Sequence, residues 1–157
     1  MVPRPRPTAL LLLLGVVALS GCASTVALEP ADAAGDPACA DVMVRMPDVL
    51  DGQERRWTDA QSTAAWGEPT AIIVSCGVTP PGPTEAQCIT VGGMDWIVDE
   101  SQAPTYRITS YGRLPALEII TDNESVSPTS VLDTIGTFAA PHLTRESACV
   151  ESSSVVP

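Results

Sequence analysis

The run Ala71-Ile72-Ile73-Val74-Ser75 gives the strongest strand signal in this 157-residue chain. Three consecutive residues of the run are β-branched, and a short unbroken apolar run of this kind is typical of a strand buried on both faces of a sheet. The segment 79–83 (Thr-Pro-Pro-Gly-Pro) cannot pair in a sheet, because proline has no N–H group to donate to a neighbouring strand. We therefore predict a central strand over residues 71–75 and a loop after it.

Further strand patterns lie on both sides of the central run. Downstream, two apolar stretches flank Gly92-Gly93, a pair that is typical of a tight hairpin turn or a bulge. A second hairpin pattern surrounds Gly112-Arg113-Leu114-Pro115, and a strand with two adjacent arginines lies upstream. The connection between that upstream strand and the central run, residues 60–69, ends in Trp66-Gly67-Glu68-Pro69. The predicted strands are residues 53–58, 71–75, 88–91 with 94–98 as a hairpin or one bulged strand, 106–111 and 116–121.

Two helices are predicted near the ends of the domain. The pattern over residues 39–46 allows a short helix that Pro47 ends. The second helix has a capping serine, Ser127, followed by Pro128 at its first position, and apolar residues recur along one face of it. The sequence thus predicts a single α+β domain with two disulfides, in which an antiparallel sheet of about five strands has N- and C-terminal helices packed on one face.

The first residues carry the pattern of a lipoprotein export signal. Arg4 and Arg6 precede an apolar segment, residues 9–19, that is far too short to span a bilayer. Small residues then lead directly into a cysteine, so Leu19-Ser20-Gly21-Cys22 is a lipobox. We predict that residues 1–21 are a signal peptide and that Cys22 becomes the lipid-modified first residue of the mature protein.

This assignment divides the chain and predicts where the protein is found. Residues 22–38 are small, polar and interrupted by proline, which is typical of a flexible tether that lifts a domain clear of the headgroups. Residues 39–150 form the globular domain, and residues 151–157 form a disordered tail. The expected location is the outer face of the cytoplasmic membrane, which the protein contacts through its lipid anchor.

The charge of the mature chain restricts its partners. All eight basic residues are arginines, and Arg4 and Arg6 lie in the predicted signal, which leaves six arginines against 19 acidic residues and a formal charge of −13. Such a surface repels phosphate backbones, so we expect no binding to nucleic acid. It also repels anionic headgroups, which leaves the acyl chains to hold the protein at the membrane.

The other four cysteines are expected to form two disulfides, because an exported chain enters an oxidising compartment. They are Cys39, Cys76, Cys88 and Cys149, and three connectivities are open. Cys76 ends the central strand and Cys88 begins the next one, so a hairpin arrangement favours Cys76–Cys88 and leaves Cys39–Cys149 by elimination. The rival use, a metal site, is disfavoured because no Cys-x-x-Cys pair occurs and His142 is the only histidine. We expect no metal and no cofactor.

Several short motifs, each weak alone, occur in an order that resembles one known family. They place glycine, tryptophan and cysteine near the ends of the predicted strands: Leu50-Asp51-Gly52, Arg55-Arg56, Ala65-Trp66-Gly67-Glu68-Pro69, Ser75-Cys76-Gly77-Val78, Pro80, Cys88, Asp95-Trp96 and Tyr111-Gly112-Arg113. With the lipobox and Cys39, they resemble the actinobacterial lipoproteins that carry domain of unknown function 3515, over residues 39 to about 140. Ser75 departs from that family, in which arginine is expected before Cys-Gly. The resemblance implies an envelope lipoprotein and supplies no activity, cofactor or catalytic residue.

Candidate catalytic groups lack the surroundings that catalysis needs. Ser75 and Cys76 suggest a nucleophile, yet no G-x-S-x-G elbow surrounds Ser75. His142 follows the proline that ends the last helix, where we expect it to interact with the helix dipole. Paired carboxylates would instead make the protein a small cell-wall-directed hydrolase, which is the alternative function. Those pairs are Asp95 with Asp99 and Glu100, and Asp122 with Glu124. We predict no catalytic residue and a protein that is not an enzyme.

The candidate binding surface is Trp66 with Arg55 and Arg56. Trp66 lies on a connection, so we expect it to be less buried than Trp96, Tyr106 and Tyr111. The arginines could receive a carboxylate of the cell wall, although pairing with the domain's own acids is favoured. Packing in the core is the commoner use of aromatic residues, but four of them could also form a sugar-binding platform: Trp66, Trp96, Tyr106 and Tyr111. The sequence predicts a non-catalytic binding or accessory module whose partner is an envelope protein or a cell-wall component.

Overall fold

Ten β-strands and two α-helices are present in residues 25–150, the part of the chain that the structure, a computed structural model, describes. The helices are α1 (Pro37–Met43) and α2 (Pro128–Ala139), and a 3₁₀ turn, Ala140–His142, follows α2 directly. None of the helices in these residues is both long and apolar enough to cross a membrane. The strands are β1 (Val49–Leu50), β2 (Gln53–Arg56), β3 (Thr63–Trp66), β4 (Ile72–Val78), β5 (Cys88–Val91), β6 (Met94–Gln102), β7 (Thr105–Tyr111), β8 (Arg113–Leu114), β9 (Ala116–Asp122) and β10 (Thr144–Arg145).

Eight of these strands form one antiparallel sheet, in the order β1-β2-β3-β4-β9-β7-β6-β5. β8 and β10 form a separate antiparallel pair. β4 contains most of the apolar run and has a neighbour on each side, β3 and β9, so the prediction of a central strand is confirmed. Gly92 and Gly93, with φ of +61° and +76°, make the two-residue turn between β5 and β6. Two consecutive positive φ angles suit glycine and fit the twist of a hairpin.

The predicted class, an α+β domain with about five strands and terminal helices, is wrong, because the main sheet has eight strands and the domain is mostly β. Residues 63–66 (Thr-Ala-Ala-Trp), which we predicted to be part of a connection, form β3. Alanine has a low strand propensity, and all four residues are buried, so no alternation of apolar and polar residues marks this strand. β1 has two residues, too few to show a period, and α1 and α2 contain only 7 and 12 residues.

The core lies on one face of the main sheet. Val74 is opposite Ile119 in the ladder between β4 and β9, and both side chains are fully buried. Leu132 and Ile135 of α2 belong to the same buried cluster, as do residues of α1. Residues of the other face are partly exposed, as Ile73 is in β4. The sheet is therefore covered on its core face and more open on the other.

The start of α2 follows the sequence signals. Ser127 is the N-cap, its hydroxyl accepts a hydrogen bond from Ser130 N at 3.4 Å, and Pro128 occupies the first turn. The N–H of Ser127 donates to Asp51 Oδ2 at 2.7 Å, which joins the beginning of the helix to the turn between β1 and β2. The predicted start of this helix is confirmed.

The four cysteines of the domain form two disulfides, Cys39–Cys76 and Cys88–Cys149. The predicted pairing, Cys76–Cys88 with Cys39–Cys149, is therefore wrong. It assumed that β4 and β5 are neighbours, but β9, β7 and β6 lie between them in the sheet. Four strand spacings amount to about 19 Å, whereas a disulfide joins Cα atoms that are about 4.4–6.8 Å apart. Each bridge instead joins a terminal segment of the domain to a strand.

The segment before α1 is packed on the domain. Val26 forms an isolated parallel bridge with Thr58. Its N–H donates to Trp57 O at 2.8 Å, and its carbonyl accepts from Asp59 N at 3.3 Å. The N–H of Leu28 donates to the Asp59 carboxylate at 2.8 Å. Residues 26–28 therefore run beside residues 57–59.

The same segment is bonded again before the helix begins. Ala33 N–H donates to Gly77 O at 3.0 Å, and the Ser62 hydroxyl donates to Ala34 O at 2.6 Å. Ala34 is only 4% exposed. Within the predicted flexible tether, residues 22–38, the structure thus bonds Val26, Leu28, Ala33 and Ala34 to the rest of the domain, and Pro37 and Ala38 already belong to α1. The predicted signal peptide, Cys22 and the predicted tail lie outside the described residues.

Candidate binding surface

Trp66, the centre of the predicted binding surface, is in the core. It is 0% exposed, and its indole N–H donates to Pro47 O at 3.0 Å. The Arg55 guanidinium lies 5.9 Å from the centre of the Trp66 ring and donates to Met46 O at 3.0 Å. The prediction that Trp66 is less buried than Trp96, Tyr106 and Tyr111 is wrong, because it belongs to β3, whose residues are all buried. Trp66 and Arg55 hold the segment after α1 against the sheet.

Arg56 is bonded to the turn between β3 and β4. Its guanidinium forms an ion pair with Glu68 at 2.8 Å and donates to Gly67 O at 3.2 Å and to Thr70 Oγ1 at 3.1 Å. The expectation that an arginine here pairs with one of the domain's own acids is confirmed. Both arginines of the predicted surface therefore serve local structure.

Trp57 is the tryptophan that the domain exposes. It is 78% exposed, whereas Trp66 and Trp96, the other two tryptophans of the sequence, are 0% exposed. Trp57 follows β2 directly, and its carbonyl is fixed by the hydrogen bond from Val26. Sequence reasoning missed it because β2 (Gln-Glu-Arg-Arg) has no apolar residue whose alternation would show on which side the tryptophan lies.

A groove of about 500 Å³ lies beside Trp57. Backbone of the β1–β2 turn and of the β3–β4 turn forms part of its wall, and the ion pair between Arg56 and Glu68 lies in it. The structure thus replaces the predicted surface by one whose exposed aromatic residue is Trp57. The groove is lined by Gly52, Gln53, Glu54, Arg55, Arg56, Trp57, Gly67 and Glu68.

The four aromatic residues considered as a sugar-binding platform do not form one. Trp66 and Trp96 are fully buried, and the Trp96 indole donates to Val91 O at 3.0 Å. Tyr106 and Tyr111 are half-buried. Their rings serve mainly to fill the domain.

The carboxylates considered for hydrolysis hold local structure. Asp95 is 7% exposed and accepts hydrogen bonds from Thr90 Oγ1 at 2.6 Å and from Cys149 N at 3.0 Å. The backbone N–H of Ser101 lowers the pKa of Asp99, and the hydroxyl of Ser125 lowers the pKa of Asp122. A general acid needs a raised pKa, so these two shifts have the wrong direction for that role.

The candidate nucleophiles are also accounted for. Cys76 is bonded to Cys39 and has no free thiol. Ser75 lies in β4 between Thr63 and Glu118 of the neighbouring strands. His142 lies in the 3₁₀ turn that follows α2. Among residues 25–150, no group of three or more His, Cys, Asp and Glu side chains is arranged to hold a metal ion.

Two of the motif glycines receive the terminal segments of the domain. Gly77 has φ of +92°, and a Cβ there would lie 2.3 Å from the carbonyl carbon of Ala33. Gly112 has φ of +62°, and a Cβ there would lie 2.2 Å from Ser147 O. The carbonyl of Gly112 also accepts a hydrogen bond from Glu146 N at 2.9 Å. Only glycine combines this backbone conformation with so close an approach of another chain segment.

Arg113 joins the end of the last helix to the sheet. It is 9% exposed, and its guanidinium donates to Ala140 O at 3.3 Å, to Leu143 O at 3.2 Å and to Gly93 O at 3.0 Å. Burial lowers the pKa of Arg113, which lies so far above neutrality that the group stays charged. Gly112 and Arg113 of the Tyr111-Gly112-Arg113 motif therefore both have structural roles.

These contacts define a disulfide-bonded β-sheet domain whose recognisable motifs hold its terminal segments in place. The chain belongs to the DUF3515 family, proteins of unknown function, whose family model matches residues 7–147. The family resemblance carried by the motifs is thereby confirmed. No curated protein and no solved structure matches the chain significantly.

Replacing Gly77 by alanine should lower the free energy of unfolding by roughly 2–4 kcal/mol, because a positive φ and a collision with backbone both oppose a side chain there. Chemical denaturation measures the loss, and hydrogen exchange at the Ala33 amide should become faster. Two control glycines separate the effect of the positive φ from the effect of the collision with backbone. Gly52 has φ of +79°, but a Cβ added there would have nothing within 4 Å, and Gly35 has neither constraint. We expect a loss of about 1–2 kcal/mol for Gly52→Ala and none for Gly35→Ala. A Gly77→Ala variant no less stable than Gly52→Ala would contradict the close contact with Ala33.

Proposed function

We propose that the protein is a lipid-anchored lipoprotein of the cell envelope, whose domain acts as a non-catalytic binding or accessory module at the outer face of the cytoplasmic membrane. The observation that carries this proposal is the lipobox, Leu19-Ser20-Gly21-Cys22, directly after a short apolar segment with arginines before it. The two disulfides of the domain support export, because disulfides persist in oxidising compartments.

The contacts of the reactive side chains support a binding role over a catalytic one. Cys76 is consumed by a disulfide, and the buried Asp95 is satisfied by hydrogen bonds within the domain. The formal charge of the mature chain disfavours nucleic acid as a partner. The partner classes that we propose are an envelope protein or a cell-wall component.

Replacing Cys22 by serine should abolish lipid attachment, because serine lacks the thiol that receives the diacylglyceryl group. The expected result is a protein that is released from the membrane fraction or that retains an uncleaved signal. Cell fractionation and mass spectrometry of the N-terminal peptide measure both. The matched control is Ser24→Ala, which leaves the lipobox intact and should remain lipidated and membrane-bound. A Cys22→Ser protein that is still cleaved before residue 22 and retained at the membrane would refute the anchor.

The binding role is tested by crosslinking on live cells, followed by identification of the crosslinked species. The anchored protein should form a defined adduct with an envelope protein or a cell-wall glycan, and the released Cys22→Ser protein should lose it. Turnover of a cell-wall substrate by the purified domain, lost when Asp95, Asp99 or Asp122 is changed to asparagine, would favour the hydrolase instead.

A further inference from the structure

We propose that the domain docks directly on the lipid bilayer through the Trp57 surface, which we define as Trp57 with the adjoining segment 25–28. The proposal rests on the proposed function, since it requires the lipid on Cys22. It replaces the picture of a domain on a long flexible tether by one of a domain held against the headgroups in one orientation.

Trp57 is exposed on a fixed backbone. Its side chain is 78% exposed, while its carbonyl accepts the hydrogen bond from Val26 N at 2.8 Å. The next residue is also fixed, because the Thr58 hydroxyl donates to Thr63 O at 3.3 Å. An indole held outward by ordered backbone has an apolar body and a polar N–H. Side chains of this kind are enriched at the interface between membrane and water.

The proposed anchor, Cys22, is a short distance along the chain from the Trp57 surface. Cys22 and Val26 are four residues apart, so even a fully extended chain separates their Cα atoms by only about 14 Å. Val26 is hydrogen-bonded to the backbone of Trp57 and Asp59. The headgroup region of one leaflet is about 5–8 Å thick, so an anchor in that leaflet brings Trp57 to the bilayer surface.

The anchor strengthens the contact of Trp57 with the bilayer, and charge selects the part of the membrane. An indole in the interface supplies modest affinity alone, but the anchor makes the contact intramolecular, at an effective concentration in the millimolar range. The formal charge of the mature chain opposes contact with anionic headgroups, while the groove beside Trp57 contains two arginines and two glutamates, which balance in charge: Arg55, Arg56, Glu54 and Glu68. The surface is therefore suited to the uncharged or zwitterionic part of a membrane.

The direction of the docked domain follows from the sheet. Trp57 follows β2, which is the second strand from one edge, whereas β5 forms the opposite edge. α2 packs near β5, since a Cβ on Gly136 would lie 2.7 Å from Gly92 O at the end of β5. We therefore expect the β5 edge and the C-terminal end of α2, which contains Gly136 and Phe138, to lie away from the lipid.

The test uses tryptophan fluorescence of the full lipidated protein inserted from outside into phosphatidylcholine vesicles. Because Trp66 and Trp96 are fully buried, quenching by aqueous iodide reports Trp57. The soluble Cys22→Ser protein should show this quenching. In the vesicle-bound protein, iodide should no longer quench Trp57. Lipids that carry a nitroxide near the headgroup should quench the fluorescence of Trp57 instead. A Trp57→Phe variant should show neither effect.

The matched control places the reporter on α2. In the Trp57→Phe background, Phe138→Trp puts a tryptophan at a position that is 38% exposed, and iodide should still quench it on vesicles. Lipidated, vesicle-bound protein whose Trp57 is quenched by iodide as in solution would overturn the docking and leave the anchor standing. Absence of lipid on Cys22, read by mass spectrometry, would overturn both. Protection of Trp57 in the soluble Cys22→Ser protein by cell-wall glycan fragments would assign the surface to sugar and overturn the docking.

Discussion

Replacing Trp66 by alanine should lower the free energy of unfolding by about 3–5 kcal/mol, the usual cost of removing a large aromatic side chain from a core. Trp66 is fully buried and donates to Pro47 O, and Arg55 lies over its ring. The truncation leaves a cavity. It also leaves Pro47 O without its hydrogen-bond donor and the Arg55 guanidinium without its aromatic neighbour. The loss follows from the burial of β3, which the sequence did not reveal.

Trp57→Ala is the matched control, because it makes the same chemical change nine residues earlier in the sequence. At 78% exposure, Trp57 should contribute less than about 0.5 kcal/mol to the free energy of unfolding. Urea denaturation of both variants with the disulfides intact measures the difference. Similar losses in the two variants, or a larger loss for Trp57→Ala, would contradict the positions that the structure gives these residues.

Removing the Cys39–Cys76 disulfide should cost about 4 kcal/mol, because the bridge closes a loop between residues that are 37 apart in sequence. The Cys39→Ala/Cys76→Ala variant keeps both positions apolar, which avoids burying a hydroxyl. Both cysteines are 0% exposed, so the lost sulfur atoms also leave empty space in the core. Urea or thermal denaturation against the unaltered protein measures the loss.

The Cys88→Ala/Cys149→Ala variant is the comparison. Its cysteines are 61 residues apart, so the effect of chain entropy is again about 4 kcal/mol, but both side chains are only half-buried. We therefore expect the first variant to be the less stable of the two. Peptide mapping without reduction should find Cys39 linked to Cys76, and a peptide joining Cys76 to Cys88 would contradict the strand order.

Features that depend on near neighbours in sequence could be predicted. Three such features are confirmed, and each depends on the residues at that position alone. They are the consecutive β-branched residues of β4, the Gly92-Gly93 turn and the cap at Ser127. The family resemblance is confirmed on the same kind of signal, because its motifs are short. Gly77, Gly112 and Arg113 of these motifs support the terminal segments.

The order of the strands could not be predicted in this way. β4 and β5 follow one another in sequence, but β5 lies at the sheet edge and three strands separate the two. Only the pairing of β4 with β9 reveals this, and the residues that pair, such as Val74 and Ile119, are far apart in the chain. The error in the disulfides follows from the error in strand order.

The candidate surface was missed for a related reason. Trp66, before Gly67, lies on a predicted connection, which suggested that it is exposed, whereas Trp57 lies at the end of a polar strand and has no sequence signal that marks it as exposed. Burial depends instead on which strands cover each side chain. β3 is an interior strand between β2 and β4, whereas Trp57 lies just beyond the end of β2.

The two disulfides join the cysteines of the domain in the order in which the chain carries them, the first with the second and the third with the fourth. A chain that enters an oxidising compartment with its N-terminus first presents Cys39 and Cys76 before Cys88 and Cys149. An oxidase that links each cysteine to the next one to emerge would therefore make both native bridges directly. Rearrangement of wrong bridges takes seconds to hours. For the exported lipoprotein that we propose, this connectivity requires no rearrangement of wrong bridges by an isomerase.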